Sequence, residues 1–158
     1  MCLNELPLGL PGNVYGSPMP FGDFDPHDEV FAQFRQKKVA TVVLLNEEEE
    51  YKRRSGRDLK AFYLGEGLEV IHLPIPDFYI PRMEELVPAV DEAIERARAG
   101  KNVVVHCFAG MGRTGLFVAC MARKALGMSA EESIGWTRRH IAGAIQTIEQ
   151  ERIIADFR

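Results

Sequence analysis

Apolar positions along this chain follow two rhythms that alternate. Val39–Leu45, Glu69–Leu73 and Val103–His106 are short, β-branched-rich runs that read as strands, and Val14-Tyr15 reads as a shorter one. Between and after them lie stretches with helical spacing, at about 26–37, 47–64, 81–99, 113–126, 129–140 and 147–157. Ser129-Ala130-Glu131-Glu132 carries the signature of a helix start with a capping serine. Strands alternating with helices predict an α/β fold with a central, mostly parallel sheet flanked by helices. Residues 1–158 are expected to form one domain, with 1–22 as an irregular N-terminal arm because Pro7 to Gly22 is rich in glycine and proline.

Composition narrows the function classes. With 158 residues, 46% of them apolar, the chain can close one core. A net charge of −4 gives no electrostatic footprint for nucleic acid. Glu47–Glu50 followed by Lys52, Arg53 and Arg54 reads as a solvated helical face. No run of 18 apolar residues predicts a membrane helix, and Met1-Cys2-Leu3-Asn4 does not begin a signal peptide, so a cytoplasmic monomer is expected. Cys2, Cys107 and Cys120 are too few and too scattered for a disulfide framework. His27, His72, His106 and His140 lack paired ligand spacing, so neither a metal nor any other cofactor is expected.

The chemistry concentrates in His106-Cys107-Phe108-Ala109-Gly110-Met111-Gly112-Arg113-Thr114-Gly115. The segment follows a strand and leads into an apolar helix, so its loop lies at a helix N-terminus. Unsatisfied N–H groups and about half a positive charge collect there and favour a dianion. The same field favours thiolate over thiol at Cys107. Gly110 and Gly112 permit positive φ, which turns the amides of Phe108 to Gly112 inward as a nest. Arg113 can grip two phosphate oxygens at once, which a lysine cannot.

This segment resembles the Cys-x5-Arg signature of the protein tyrosine phosphatase superfamily, and elements in the expected order from about Val14 to Phe157 are similar to its small dual-specificity branch. The resemblance implies that Cys107 is the nucleophile and Arg113 the phosphate clamp. It also implies that Thr114 hydrogen-bonds the sulfur and that His106 braces the loop. Gly110-x-Gly112-x-x-Gly115 fits a dinucleotide fingerprint as well, but Glu131 and Glu132 sit at a helix start rather than at the end of a second strand.

A leaving ester oxygen needs a proton. Asp77, in Pro74-Ile75-Pro76-Asp77-Phe78-Tyr79-Ile80-Pro81, offers a carboxyl on a proline-stiffened loop whose context resembles the general-acid loop of that branch. The alternative is a turn aspartate that caps the helix beginning near Pro81. Asp23, Asp25 and Asp28 are the next nearest carboxylates in the N-terminal region. Gln146 and Gln150 resemble the glutamines that orient water in tyrosine phosphatases, the alternative being exposed positions on a last helix. Where relatives often have Arg-Pro-Gly, this chain has Arg138-Arg139-His140-Ile141-Ala142-Gly143.

The expected activity is cysteine-dependent hydrolysis of a phosphorylated protein or peptide, on phosphotyrosine and also phosphoserine or phosphothreonine. Phosphoinositide and RNA 5′-phosphate hydrolysis, and a phosphate-binding pseudoenzyme, are the alternatives. Phe108, Ala109 and Met111 supply no extra cation for a multiply phosphorylated inositol. Phe78, Tyr79 and Ile80 offer an apolar wall for an aryl ring.

Overall fold

The computed structural model describes residues 3–158. Five strands form one mixed sheet in the order β1-β2-β5-β3-β4. They are β1 (Asn4–Leu6), β2 (Val14–Ser17), β3 (Val39–Leu44), β4 (Glu69–His72) and β5 (Asn102–His106). The pairs β2–β5, β5–β3 and β3–β4 are parallel, and only β1 runs antiparallel, at the edge. Besides the expected short strand at Val14-Tyr15, the N-terminal arm carries an unanticipated edge strand, in which Asn4, Glu5 and Leu6 pair with Gly16, Tyr15 and Val14. Three residues show too little alternation to announce a strand.

Seven helices cover the sheet: α1 (Val30–Gln36), α2 (Glu48–Ser55), α3 (Leu59–Gly65), α4 (Met83–Arg98), α5 (Gly112–Leu126), α6 (Ala130–His140) and α7 (Ile148–Asp156). The period-2 pattern of β5 sends Val103 and Val105 into one core with α4 to α7, and Val104 into another with α1 to α3. Burial on both faces explains the continuous valine run. Helix α5 is enclosed on all sides from Gly112 to Ala122.

The stretch expected as one helix over 47–64 is two. Gly56, with φ of 73°, ends α2 in the left-handed conformation, and Asp58 caps α3 by accepting from the Ala61 amide at 3.1 Å. Helix α1 starts later than expected, at Val30, because the buried Asp25 carboxylate accepts from the amides of Phe21, Glu29 and Val30. Helix α6 begins at the anticipated serine, with Ser129 and Glu132 closing a capping box. The parallel strands β3, β4 and β5 all end at one edge of the sheet. In open α/β sheets that edge is where ligands bind.

Candidate active site

Three chain segments meet there: the turn after β5, the loop after β4, and α2 after β3. The Cys107 thiol and the Arg113 guanidinium lie at the floor, with 3% and 2% of each residue exposed. Thr114 Oγ1 donates to Cys107 Sγ at 3.1 Å. Helix α5 begins at Gly112, so its free amides face the loop.

The two loop glycines are needed for different reasons. Gly110 has φ of +81°, and a Cβ there would stand 2.7 Å from the Ser17 carbonyl oxygen. Gly112, contrary to expectation, does not have positive φ. Its requirement is space, because a Cβ would fall 2.5 Å from Gln146 Oε1 and 3.3 Å from Gln150 Nε2.

His106 is buried beside the loop with a fixed tautomer. Its Nδ1 lies 2.9 Å from the Cys107 carbonyl oxygen, which can only accept, so that nitrogen carries the proton. Nε2, 2.8 Å from Tyr63 Oη, then accepts from the phenol. Burial, followed by the Arg113 charge, outweighs the Cys107 carbonyl contact and pushes the imidazole down to about 4. Burial also raises the Tyr63 phenol well above its usual value, which keeps it a donor.

Arg113 is held by a residue that sequence reading assigned to a solvated face. Glu50 accepts from Nη1 at 2.7 Å and from Nη2 at 2.8 Å, and the Ile75 carbonyl accepts from Nη1 at 2.8 Å. Glu47, Glu48 and Glu49 are exposed as expected, and the last two pair outward with Lys52 and Arg53 at 2.6 and 3.0 Å. Burial opposes the Glu50 carboxylate, but Arg113's hydrogen bonds and charge outweigh it and hold its pKa below the ordinary value. Burial likewise opposes the Arg113 cation, and Glu50, with the charges of Cys107 and Asp77, raises its pKa further. The fork is thus permanently charged and fixed in plane. The available signal was the helical period: with Glu48 and Glu49 paired outward, Glu50 falls on the same side as the buried Tyr51.

Asp77 sits on the loop after β4 with Oδ1 3.2 Å from Arg113 Nη2. It does not cap α4, whose first flanking residue is Arg82 with no side-chain cap. Phe78 beside it holds φ of +68°, an unfavourable conformation for a residue with a Cβ. Of the nearby alternatives, Asp25 is committed to its three amides.

The two glutamines separate in role. Gln150 is buried and closes the α7 capping box: its Oε1 accepts from the Gln146 and Thr147 amides at 2.8 and 3.3 Å. Its Nε2 reaches the Tyr79 carbonyl at 3.4 Å, which ties α7 to the acid loop. Gln146 is exposed and lines the cavity. Arg138 lines no part of that cavity. It braces the preceding turn, donating to the Ala144 and Ile145 carbonyls at 3.1 and 3.0 Å, while Ile145 holds φ of +61°.

The cavity over Cys107 measures about 300 Å³. Phe24, Phe78 and Phe108 form its apolar walls, and Ala109 and Met111 complete the loop side. Phe24 was not anticipated; its ring meets Phe108 edge-on at 5.2 Å. Tyr79 and Ile80 face solvent rather than the cavity. A larger depression of about 640 Å³ between α6 and α7 has no cysteine or histidine in its lining, so the chemistry belongs to the smaller one. Cys120 is buried in α5 with its thiol pushed up by burial, and Cys2 lies outside the described residues. Among those residues no three His, Cys, Asp or Glu side chains converge as metal ligands, and no helix is long and apolar enough to cross a membrane.

A buried thiol, a fixed guanidinium and a carboxyl-bearing loop are thus gathered in one cavity. Residues 19–126 match the family model described as Tc-R-P, polymorphic toxin system, DSP-PTPase phosphatase. The chain belongs to this family, within the dual-specificity branch of the protein tyrosine phosphatase superfamily. It is 32% identical over 127 residues to tyrosine-protein phosphatase cdc-14 of Caenorhabditis elegans, covering 80% of this chain but only 16% of that protein. Among solved structures it is similar to Tk-PTP in its active form, with 32% identity, a TM-score of 0.78, and 92% and 90% of the two chains covered. Kinase associated phosphatase shares the fold at 20% identity, with a TM-score of 0.87 over 98% and 92% of the chains.

Proposed function

We propose that this protein hydrolyses phosphotyrosine in proteins or peptides through a phosphocysteine intermediate. The observation that carries the reading is the Thr114 Oγ1 to Cys107 Sγ hydrogen bond of 3.1 Å, beneath a cavity walled by three phenylalanines. A hydroxyl that donates to sulfur stabilises the thiolate as nucleophile and later as leaving group.

In the first step the Cys107 sulfur attacks phosphorus and the P–O ester bond breaks. The protonated Asp77 carboxyl gives its proton to the departing oxygen. In the second step water attacks phosphorus, Asp77 takes its proton, and the S–P bond breaks to release phosphate and restore the thiolate. The loop amides and the Arg113 fork carry the charge of the equatorial oxygens in both steps. Gln146, at the cavity margin, orients the water. Aromatic walls suit an aryl ester, which packs against them at little entropic cost.

Turnover of matched phosphotyrosine, phosphothreonine and soluble phosphoinositide substrates tests this, with Cys107→Ser as the control. The expected order places phosphotyrosine first, and the serine variant binds vanadate but does not turn over. A phosphoinositide preferred by about tenfold or more in kcat/KM, a difference of about 1.4 kcal/mol, overturns the substrate. Turnover by the serine variant overturns the mechanism.

A further inference from the structure

Arg54 lies one helical turn after Glu50 on α2 and reaches the same cavity. Its guanidinium carbon sits 3.8 Å from the centroid of the Phe108 ring, and its side chain is 28% exposed. Its Nε is shut off from solvent with no hydrogen-bond partner among the described residues. The nearest carboxylate oxygens, Glu50 Oε2 and Asp77 Oδ2, are 3.9 and 3.8 Å away, too far for a hydrogen bond. Both carboxylates lean instead on Arg113, at 2.7 and 3.2 Å. The neighbouring cations Lys52 and Arg53 are paired outward, so Arg54 is the one of that run turned towards the cavity.

A guanidinium offers five N–H donors in a rigid fork, and stacking on an aromatic face fixes its plane. The two-step chemistry uses none of these donors, since Arg113 and the amides hold the phosphate and Asp77 moves the protons. The geometry points to Arg54 as a specificity-determining residue that binds a second anionic group, carboxylate or phosphate, on the residue next to the phosphotyrosine. Asp77 lies between the two guanidiniums, with Oδ1 3.2 Å from Arg113 and Oδ2 3.8 Å from Arg54, so the second anion has to stand close beside the first. The cation that the loop positions Phe108, Ala109 and Met111 do not supply comes from α2. Phe24 and Phe78, at 48% and 57% exposure, leave the cavity open at its rim for the adjoining residue of a peptide. The inference rests on the proposed phosphotyrosine reading of the site.

The test compares kcat/KM for three phosphotyrosine peptides: one with alanine on both sides, one with glutamate next to the phosphotyrosine, and one with phosphoserine there. Wild type, Arg54→Ala, Arg54→Lys and Arg54→Glu are measured alongside a bisphosphorylated inositol. Charge-assisted hydrogen bonds predict an acidic-peptide preference of about tenfold or more in wild type. Arg54→Ala removes that ratio, Arg54→Lys retains part of it, and Arg54→Glu inverts it. Loss of activity in Arg54→Ala by one factor on all three peptides overturns the inference, because Arg54 then acts by positioning Asp77. A preference that survives in Arg54→Glu overturns it too. A bisphosphorylated inositol that outruns every peptide, with an advantage lost in Arg54→Ala, overturns the peptide as carrier of the second anion. Failure of wild type on the alanine peptide, with turnover of an aryl phosphate intact, instead refutes the proposed substrate.

Discussion

Glu50 and Arg113, 63 positions apart, are joined by two hydrogen bonds of 2.7 and 2.8 Å, with 5% and 1% of their side chains exposed. Two buried charges in this geometry cost little as a pair and much when separated. Glu50→Ala is expected to lower stability by about 3–5 kcal/mol, because an uncompensated cation is left behind. With the fork free to rotate, kcat should fall about 10²-fold. Glu50→Gln keeps the shape and one acceptor and should fall between. Chemical denaturation and steady-state turnover check this; an active, fully stable Glu50→Ala would remove the pair from the mechanism.

His106 makes stability depend on pH in a definite direction. The folded imidazole titrates at about 4 and the unfolded one near 6.5, so below 6.5 the unfolded chain binds a proton that the folded one refuses. Stability is therefore full above that value and falls as pH drops towards 4, by roughly 3 kcal/mol across the window. Glu50, whose carboxylate is also favoured by folding, acts in the same sense at the acid end of that range. Denaturant midpoints from pH 7.5 down to about 4.5 should trace this slope, and His106→Asn should flatten it. A variant with the wild-type slope would place the effect elsewhere.

Asp77→Asn should lower kcat by about 10²–10⁴-fold for esters with poor leaving groups and much less for activated aryl phosphates. A leaving-group series distinguishes proton donation from a binding role, which would depress all esters alike.

Gln146 and Gln150 should fail differently. Gln150→Ala keeps the Thr147 cap but removes the reciprocal half of the capping box and the tie to Tyr79, and each lost buried hydrogen bond costs about 1 kcal/mol. Gln146→Ala should leave stability near wild type and slow the second step, so phosphocysteine accumulates. Rapid quench with intact-mass detection reads this; a stable, burst-free Gln146→Ala would return the water to another group.

The loop from His106 to Gly115 was legible in the sequence because its chemistry is local, each residue within one strand, turn and helix start. Asp77 was legible for a similar reason, on a loop that prolines mark out. Glu50, Arg54 and Phe24 were not. They reach the site through tertiary packing from α2 and the segment before α1, and an acidic run followed by a basic one looks like surface when read by charge alone. The split of α2 from α3 was visible only in Gly56 and Asp58, which a single charged helical stretch had absorbed. Edge strand β1 was too short to alternate.

Helix α2 spans only Glu48–Ser55, and its outward face is held by exposed ion pairs that contribute a few tenths of a kcal/mol each. Yet it carries the carboxylate that orients Arg113 and the second guanidinium beside it. Fraying of this one short element would disarm the centre while β5 and α5 stay intact. Catalytic loss should thus precede loss of the sheet on warming, and amide exchange along α2 should run in step with it.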